Sequence, residues 1–259
     1  MTTFTIRSAV LAAVVAATVT AAPSFAAHLE GTGRGDLLIG RDDDNVDDPT
    51  IQPPGTVANQ SLDNADILVG RGGNDVLIGR AGSDTLLGGP GNDILIGGIE
   101  GGTRPNSDVQ LGDSGNDIAV WAGGDGSDHF DGGLGQKDAL VFGTIDRDAN
   151  RLPTIKAVET RFADTGVPTA NVSGQGGFCT LERVSDPERG IDFLVRFFSR
   201  SSGALLVTVR TRDVEQLFCT TQAGGGITFA DLTAPTPTLV EIPLDEVERL
   251  NQDVALIIR

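Results

Sequence analysis

Aspartate recurs at intervals of nine residues in the middle of the first half of this chain. Each of these aspartates is the sixth residue of a nonapeptide, and the four nonapeptides 61–69, 70–78, 79–87 and 88–96 follow one another without a gap; all but the first contain two or three glycines. A leucine stands two residues after each of these aspartates and therefore also recurs at intervals of nine residues. The four aspartates are Asp66, Asp75, Asp84 and Asp93. Carboxylates in regular register on flexible turns are suited to binding hard divalent cations.

Further copies of the nonapeptide flank this run. One stands alone at 31–39, others occupy 112–120 and 123–131, a looser copy spans 132–141, and 97–111 reads as one copy with an insertion of six residues. These copies add the candidate metal ligands Asp117, Asp128, Asp36, Asp108 and Asp138. An isolated aspartate in such a sequence is usually a turn residue that caps its own backbone, but register across many copies favours a shared site.

The repeat resembles the calcium-binding nonapeptide of the repeats-in-toxin (RTX) family, G-G-x-G-x-D-x-U-x. The copies GGPGNDILI at 88–96 and GGDGSDHFD at 123–131 match every fixed position, and the resemblance covers roughly residues 31–142. It implies a parallel β-roll that binds Ca²⁺. In such a roll, six residues of each copy form a turn, three form a short strand, and two copies complete one coil.

Physical chemistry leads to the same ion. Two copies per coil would stack residues 18 apart, so Asp66 lies on Asp84 and Asp75 on Asp93, at the ~4.8 Å spacing of neighbouring strands. Two carboxylates at that distance repel by roughly 3 kcal/mol at an effective dielectric of 20, so a positive charge must lie between them. Carboxylate and carbonyl oxygens in a glycine frame suit Ca²⁺ better than Mg²⁺, Zn²⁺ or Cu²⁺. We therefore expect a chain that is largely disordered without calcium and folds when it binds the ion.

Composition narrows the function classes. The 259 residues carry a net charge of −17, which disfavours nucleic acid and anionic lipid as partners. Only two histidines are present, and the chain contains neither H-E-x-x-H nor G-x-S-x-G. The G-D-S-G segment at 112–115 places Ser114 in a repeat turn with no histidine positioned to activate it. The sequence therefore predicts a protein that is not an enzyme. Two alternatives remain. One is an adhesin or matrix component that binds an extracellular or cell-surface partner through its C-terminal domain, and the other is a hydrolase with an unrecognised site in 143–259.

The chain divides into three parts. Residues 1–26 read as a secretory signal peptide, and their apolar run is too short for a membrane span. Residues 27–142 form the acidic, glycine-rich repeat domain, interrupted by an acidic, proline-rich loop at 41–60. Residues 143–259 form the third part.

Export to the periplasm or the medium would allow a disulfide between Cys179 and Cys219, the alternative being two free buried thiols.

Residues 143–259 read as a mostly β domain, which makes the whole chain all-β. Strands are predicted at 191–200, 204–212 and 214–221, with a turn at 201–203 and a helix at 244–252. In the repeat domain, Val76, Ile78, Ile94 and Ile96 occupy outward strand positions that should be polar on an isolated roll. An apolar strip of this kind needs a cover, which we expect the C-terminal domain or another molecule to supply.

Overall fold

The computed structural model of the chain describes residues 28–40, 65–80, 82–98, 107–123, 126–149, 152–184 and 190–259. The predicted signal peptide and the predicted loop at 41–60 lie outside these ranges. The described strands are β1 (His28–Glu30), β2 (Leu37–Ile39), β3 (Ile67–Val69), β4 (Val76–Arg80), β5 (Thr85–Pro90), β6 (Ile94–Gly98), β7 (Val109–Ser114), β8 (Ile118–Trp121), β9 (His129–Asp131), β10 (Ala139–Phe142), β11 (Thr144–Ile145), β12 (Ile155–Lys156), β13 (Val167–Pro168), β14 (Ala170–Asn171), β15 (Gly177–Arg183), β16 (Phe193–Ser199), β17 (Leu205–Arg212), β18 (Gln216–Thr220), β19 (Ile227–Asp231) and β20 (Val240–Ile242). The helices are α1 (Leu244–Leu250) and α2 (Gln252–Ile257).

Successive strands of the repeat region alternate between two parallel sheets. The first sheet has the order β1-β3-β5-β7-β9 and the second β2-β4-β6-β8-β10, so two nonapeptides complete one coil. The register places Ile67 opposite Thr85 and Val76 opposite Ile94, residues 18 apart. The predicted β-roll is therefore confirmed, and the fold is mostly β.

Each strand of the roll turns the side chain of its second residue into the space between the sheets. Leu68, Leu77, Leu86 and Leu95 fill this space and are fully buried. Beyond them the interior position holds Gln110 and Ala119, and it then widens to admit Phe130. Burial of a Leu side chain contributes about 2 kcal/mol, so every coil of the roll depends on this column.

The turns between the strands need a left-handed backbone at their second position. Gly89 and Gly133 supply it without strain, with φ of +98° and +87°. Arg71, Arg80 and Asp113 adopt the same conformation with φ between +76° and +81°. Because a left-handed backbone costs a residue with a side chain roughly 1–2 kcal/mol, these three turns are less stable than the turns with glycine at this position.

The C-terminal half continues the same two sheets. Strand β17 pairs in parallel with β9, and β18 pairs in parallel with β10. From there β16 and β15 extend the first sheet and β19 and β20 the second, all antiparallel. The composition boundary at residue 142 is thus also where strand direction begins to change. As a domain boundary it stays a prediction.

A disulfide joins the two sheets at this end. Cys179 of β15 bonds Cys219 of β18, as the sequence predicted, and closes a loop with a sequence separation of 40. Loop closure of this size contributes about 4 kcal/mol by the chain-entropy model. Next to it, Trp121 packs against Phe142 and Phe197 with ring centroids 5.1 Å away in both pairs. The bridge and the aromatic cluster close the open end of the leucine column.

The predicted strands at 191–200, 204–212 and 214–221 correspond to β16, β17 and β18, and the turn at 201–203 connects the first two. The predicted helix at 244–252 is divided in two. Asn251 has an extended backbone, with φ −152° and ψ 107°, and its side-chain oxygen accepts hydrogen bonds from Asp253 N and Val254 N. An asparagine that caps the next helix in this way ends the preceding one.

The apolar strip on the second sheet has the cover that the sequence predicted. Val76, Ile78, Ile94 and Ile96 are at most 1% exposed and form one core with the segment 145–172 and both helices. Lys137 Nζ donates to the Leu250 carbonyl at 2.9 Å and fixes the helices over the repeats. The cover comes from the chain itself.

Removal of residues 244–259 is expected to expose this strip. The truncation deletes the buried side chains Val247, Val254, Ile257 and Ile258, which belong to the same hydrophobic core as the strip. Exposed contiguous apolar surface binds hydrophobic dyes, so anilinonaphthalene sulfonate fluorescence in saturating calcium should rise several-fold over that of the full chain. Unchanged dye fluorescence in the truncated protein would show that the helices are not the cover.

Candidate metal centre

All nine predicted aspartates lie at one structural position, immediately before a strand of the roll. The strand pairing sorts them into two columns, one for each sheet. The column beside the second sheet, here called the inner column because the helices cover that sheet, contains Asp36, Asp75, Asp93, Asp117 and Asp138. The column beside the first sheet, here called the outer column, contains Asp66, Asp84, Asp108 and Asp128. Both predicted stacked pairs are therefore present.

A chain of hydrogen bonds runs along each column. In the inner column the backbone N–H of Asp75 donates to Asp93 Oδ1 at 2.8 Å, and the N–H of Asp93 donates to Asp117 Oδ1 at 2.8 Å. In the outer column Asp66 N donates to Asp84 Oδ1 at 2.7 Å. The spacing grows from 18 to 24 residues between Asp84 and Asp108, which confirms the insertion of six residues.

These bonds modify the electrostatic picture drawn from the sequence. Stacked carboxylates do not face each other across empty space, because the backbone N–H of one coil lies against the Oδ1 of the next coil. The dipole of the N–H offsets part of the repulsion between the carboxylates. A cation is therefore needed mainly at the second carboxylate oxygen.

The second oxygens of the inner column are buried without a hydrogen-bond partner. This holds for Oδ2 of Asp75, Asp93, Asp117 and Asp138, all in residues that are 0% exposed. Leaving a buried carboxylate oxygen unpaired is costly, and repeating this at four successive coils requires a compensating ligand. A metal ion bound to Oδ2 would be such a ligand.

Turn carbonyls lie beside these oxygens. A side-chain carbon placed on Gly70 would overlap both Asp75 Oδ2 and the carbonyl oxygen of Gly88 in the next coil. The equivalent carbon on Gly112 would overlap Asp117 Oδ2 and come within 2.6 Å of the Gly132 carbonyl oxygen. At these two positions only glycine fits, and the absence of a side chain leaves carboxylate and carbonyl oxygens close together. These hard oxygens fit Ca²⁺.

Burial strongly raises the pKa of four aspartates of the inner column. Loss of water around the carboxylates raises the pKa of Asp93 and of Asp117 to about 8, although their backbone hydrogen bonds act in the opposite direction. The same cause raises the pKa of Asp138 to about 7 and that of Asp75 to about 6. Without a cation, these groups therefore hold protons at a pH where an ordinary aspartate is ionised.

The described residues offer no other arrangement typical of a metal site. Within them, no three His, Cys, Asp or Glu side chains come together as a cluster. Successive coils instead add single carboxylates to the two columns, so calcium would be held by carboxylates and carbonyls of successive coils. In the same ranges, no helix has the length and apolarity needed to cross a membrane.

Sequence reasoning missed one member of the inner column. The backbone N–H of Asp138 donates to Glu215 Oε2 at 2.8 Å, which repeats the bond between successive aspartates. Glu215 belongs to no nonapeptide and lies 77 residues further along the chain. No local signal identifies it, because only the pairing of β10 with β18 places it there.

The fold and the site define a repeat protein in which a parallel β-roll stacks buried carboxylates beside glycine turns. Comparison with known families identifies the repeat itself. Residues 62–98 match the model of the RTX calcium-binding nonapeptide repeat in four copies, which confirms the resemblance predicted from the sequence. No curated protein and no solved structure gave a match to this chain.

Proposed function

We propose that this chain is a secreted calcium-binding protein whose nonapeptide turns bind Ca²⁺ and fold as they do so. The observation that carries the proposal is the row of four unpaired, fully buried Oδ2 atoms in the inner column. The family match of residues 62–98 supports calcium as the ion. The two columns provide the sites, with Asp66, Asp75, Asp84, Asp93, Asp117, Asp128, Asp36, Asp108 and Asp138 as carboxylate ligands.

Secretion is part of the proposal. The N-terminal segment 1–26 has the pattern of a signal peptide, and the bond between Cys179 and Cys219 is typical of proteins that fold in an oxidising compartment. Extracellular calcium sites commonly bind in the 10⁻⁴ to 10⁻³ M range, which would keep the repeats unfolded until export. A non-enzymatic role completes the proposal, while the adhesin and hydrolase alternatives stay predictions.

Substitution of Asp93 by Asn is expected to remove calcium sites without removing the hydrogen bond of the column. The amide oxygen of Asn can still accept from Asp75 N, but the NH₂ group that replaces Oδ2 cannot ligate a cation. Isothermal titration of the protein with calcium should give fewer bound ions for Asp93→Asn than for the unsubstituted chain.

The matched control is Asp164→Asn, which removes the same charge at an exposed residue that belongs to neither column. The control should bind as many ions as the unsubstituted chain. Equal stoichiometry and affinity for Asp93→Asn and Asp164→Asn would contradict the assignment, and no binding by the unsubstituted chain would overturn the proposed function as a whole.

A further inference from the structure

The acidic inner column continues past the last nonapeptide. Strand β10 pairs with β18 so that Ala139 lies opposite Gln216, which puts Glu215 in register with Asp138. The bond from Asp138 N to Glu215 Oε2 has the same donor position as the bond from Asp117 N to Asp138 Oδ1, at 2.8 and 2.7 Å. Glu215 therefore occupies the place of the next aspartate.

The row of turn carbonyls continues in the same way. A side-chain carbon on Gly132 would overlap the carbonyl oxygen of Asp213, just as one on Gly70 would overlap that of Gly88. Asp213 has a left-handed backbone with φ +48°, and its carboxylate lies 3.3 Å from Arg212 Nε. The backbone carbonyl oxygen of Asp213, and not its carboxylate, therefore takes the position of the turn carbonyl in the inner column.

Asp138 lies beside the Asp213 carbonyl and the Glu215 carboxylate, and one of its own oxygens is unsatisfied. Asp138 is 0% exposed, its Oδ1 accepts from Asp117 N, and its Oδ2 is buried without a hydrogen-bond partner. Glu215 brings a second carboxylate to this end of the column, which increases the local negative charge. A cation bound to both groups would pair the buried oxygen and offset the added negative charge.

From this juxtaposition we infer that Glu215 is the terminal cation ligand of the inner column, and that a calcium ion bound by Asp138 and Glu215 joins the repeats to the C-terminal strands. The inference rests on the proposed function, since it needs calcium in the column. It assigns a site outside every nonapeptide copy. Through it, calcium binding by the roll also stabilises the pairing of β10 with β18.

The test is a calcium titration of Glu215→Gln by calorimetry, with Glu248→Gln as the matched control. Glutamine keeps an oxygen that can accept from Asp138 N but loses the charge, whereas Glu248 is exposed on α1 and belongs to neither column. Glu215→Gln should bind one calcium ion fewer than the unsubstituted chain and the control. An unchanged ion count and affinity in Glu215→Gln would overturn the inference, and no binding by the unsubstituted chain would instead refute the proposed function.

A second measurement does not depend on the folding of a variant. Crystals of the unsubstituted protein grown with terbium in place of calcium should show an anomalous peak within the 2.3–2.6 Å range of calcium–oxygen bonds from a Glu215 oxygen and from Asp138 Oδ2. Peaks at the nonapeptide aspartates without one at Glu215 would overturn the inference alone. An absence of peaks along both columns would count against the proposed function.

Discussion

Removal of calcium at pH 8 is expected to unfold the roll. At that pH most of the protons held by four inner-column aspartates are lost, because the pKa is about 6 for Asp75, about 7 for Asp138 and about 8 for Asp93 and Asp117, which are then half ionised. Without an ion, the charges of Asp75, Asp93, Asp117 and Asp138 are then buried with one oxygen each unpaired. Buried, uncompensated charges cost several kcal/mol each, which is comparable to the total stability of a small domain.

Two spectroscopic signals report this transition. Far-ultraviolet circular dichroism in EDTA should lose the strand signal that is present in calcium. Trp121, the only tryptophan, is 4% exposed and packs between the strands that join the roll to the C-terminal half, so its fluorescence should shift to that of a solvated indole. Adding back Ca²⁺ should restore both signals, and Mg²⁺ at the same concentration should not, since it dehydrates reluctantly and demands strict octahedral geometry. Identical spectra with and without chelator would contradict calcium-dependent folding.

The periodic part of the fold could be predicted from the sequence because it is encoded locally. Asp93 and Leu95 repeat the positions of Asp75 and Leu77, so a single coil geometry determines where all of them lie. The outward Ile94 and Ile96 break the expected polar pattern, and this alone was enough to predict a cover. Neither inference required knowledge of contacts between distant segments.

The end of the roll could not be predicted, because it depends on pairing between distant segments. Strand β17 adds to β9 and β18 to β10 across a long stretch of chain, and nothing in the spacing of residues 205–220 indicates a parallel partner. In the sequence, nothing therefore distinguishes Glu215 from an ordinary surface glutamate. The hydrogen bonds along the columns were missed for a related reason, since a backbone N–H has no signature in the sequence.

Lowering the pH is expected to refold the calcium-free chain. Burial raises the pKa of Asp75 to about 6, of Asp138 to about 7, and of Asp93 and Asp117 to about 8, from the ordinary value of 3.8. The folded form thus holds protons that the unfolded form has released. The stabilisation is complete below about pH 4 and is lost as the pH rises through 6 to 8, because the stability falls wherever the folded state binds more protons.

Calcium-free protein prepared by dialysis should therefore show more strand signal at pH 5.5 than at pH 8, whereas acid ordinarily destabilises folded proteins. One pKa unit corresponds to about 1.4 kcal/mol, so the combined effect of several column residues is large enough to shift the folding equilibrium. Calcium binding has the opposite pH dependence to the stability of the calcium-free fold. Because protons compete with the ion for the carboxylates, the affinity for calcium rises with pH.

A double variant separates the column from the general effect of net charge. Asp93→Asn with Asp117→Asn replaces the two groups with the highest pKa by amides that do not titrate, and leaves most of the acidic residues in place. The calcium-free double variant should therefore gain much less strand signal between pH 8 and 5.5 than the unsubstituted chain. An equal gain in both proteins would mean that acid acts by reducing overall repulsion, and that the buried column does not control folding.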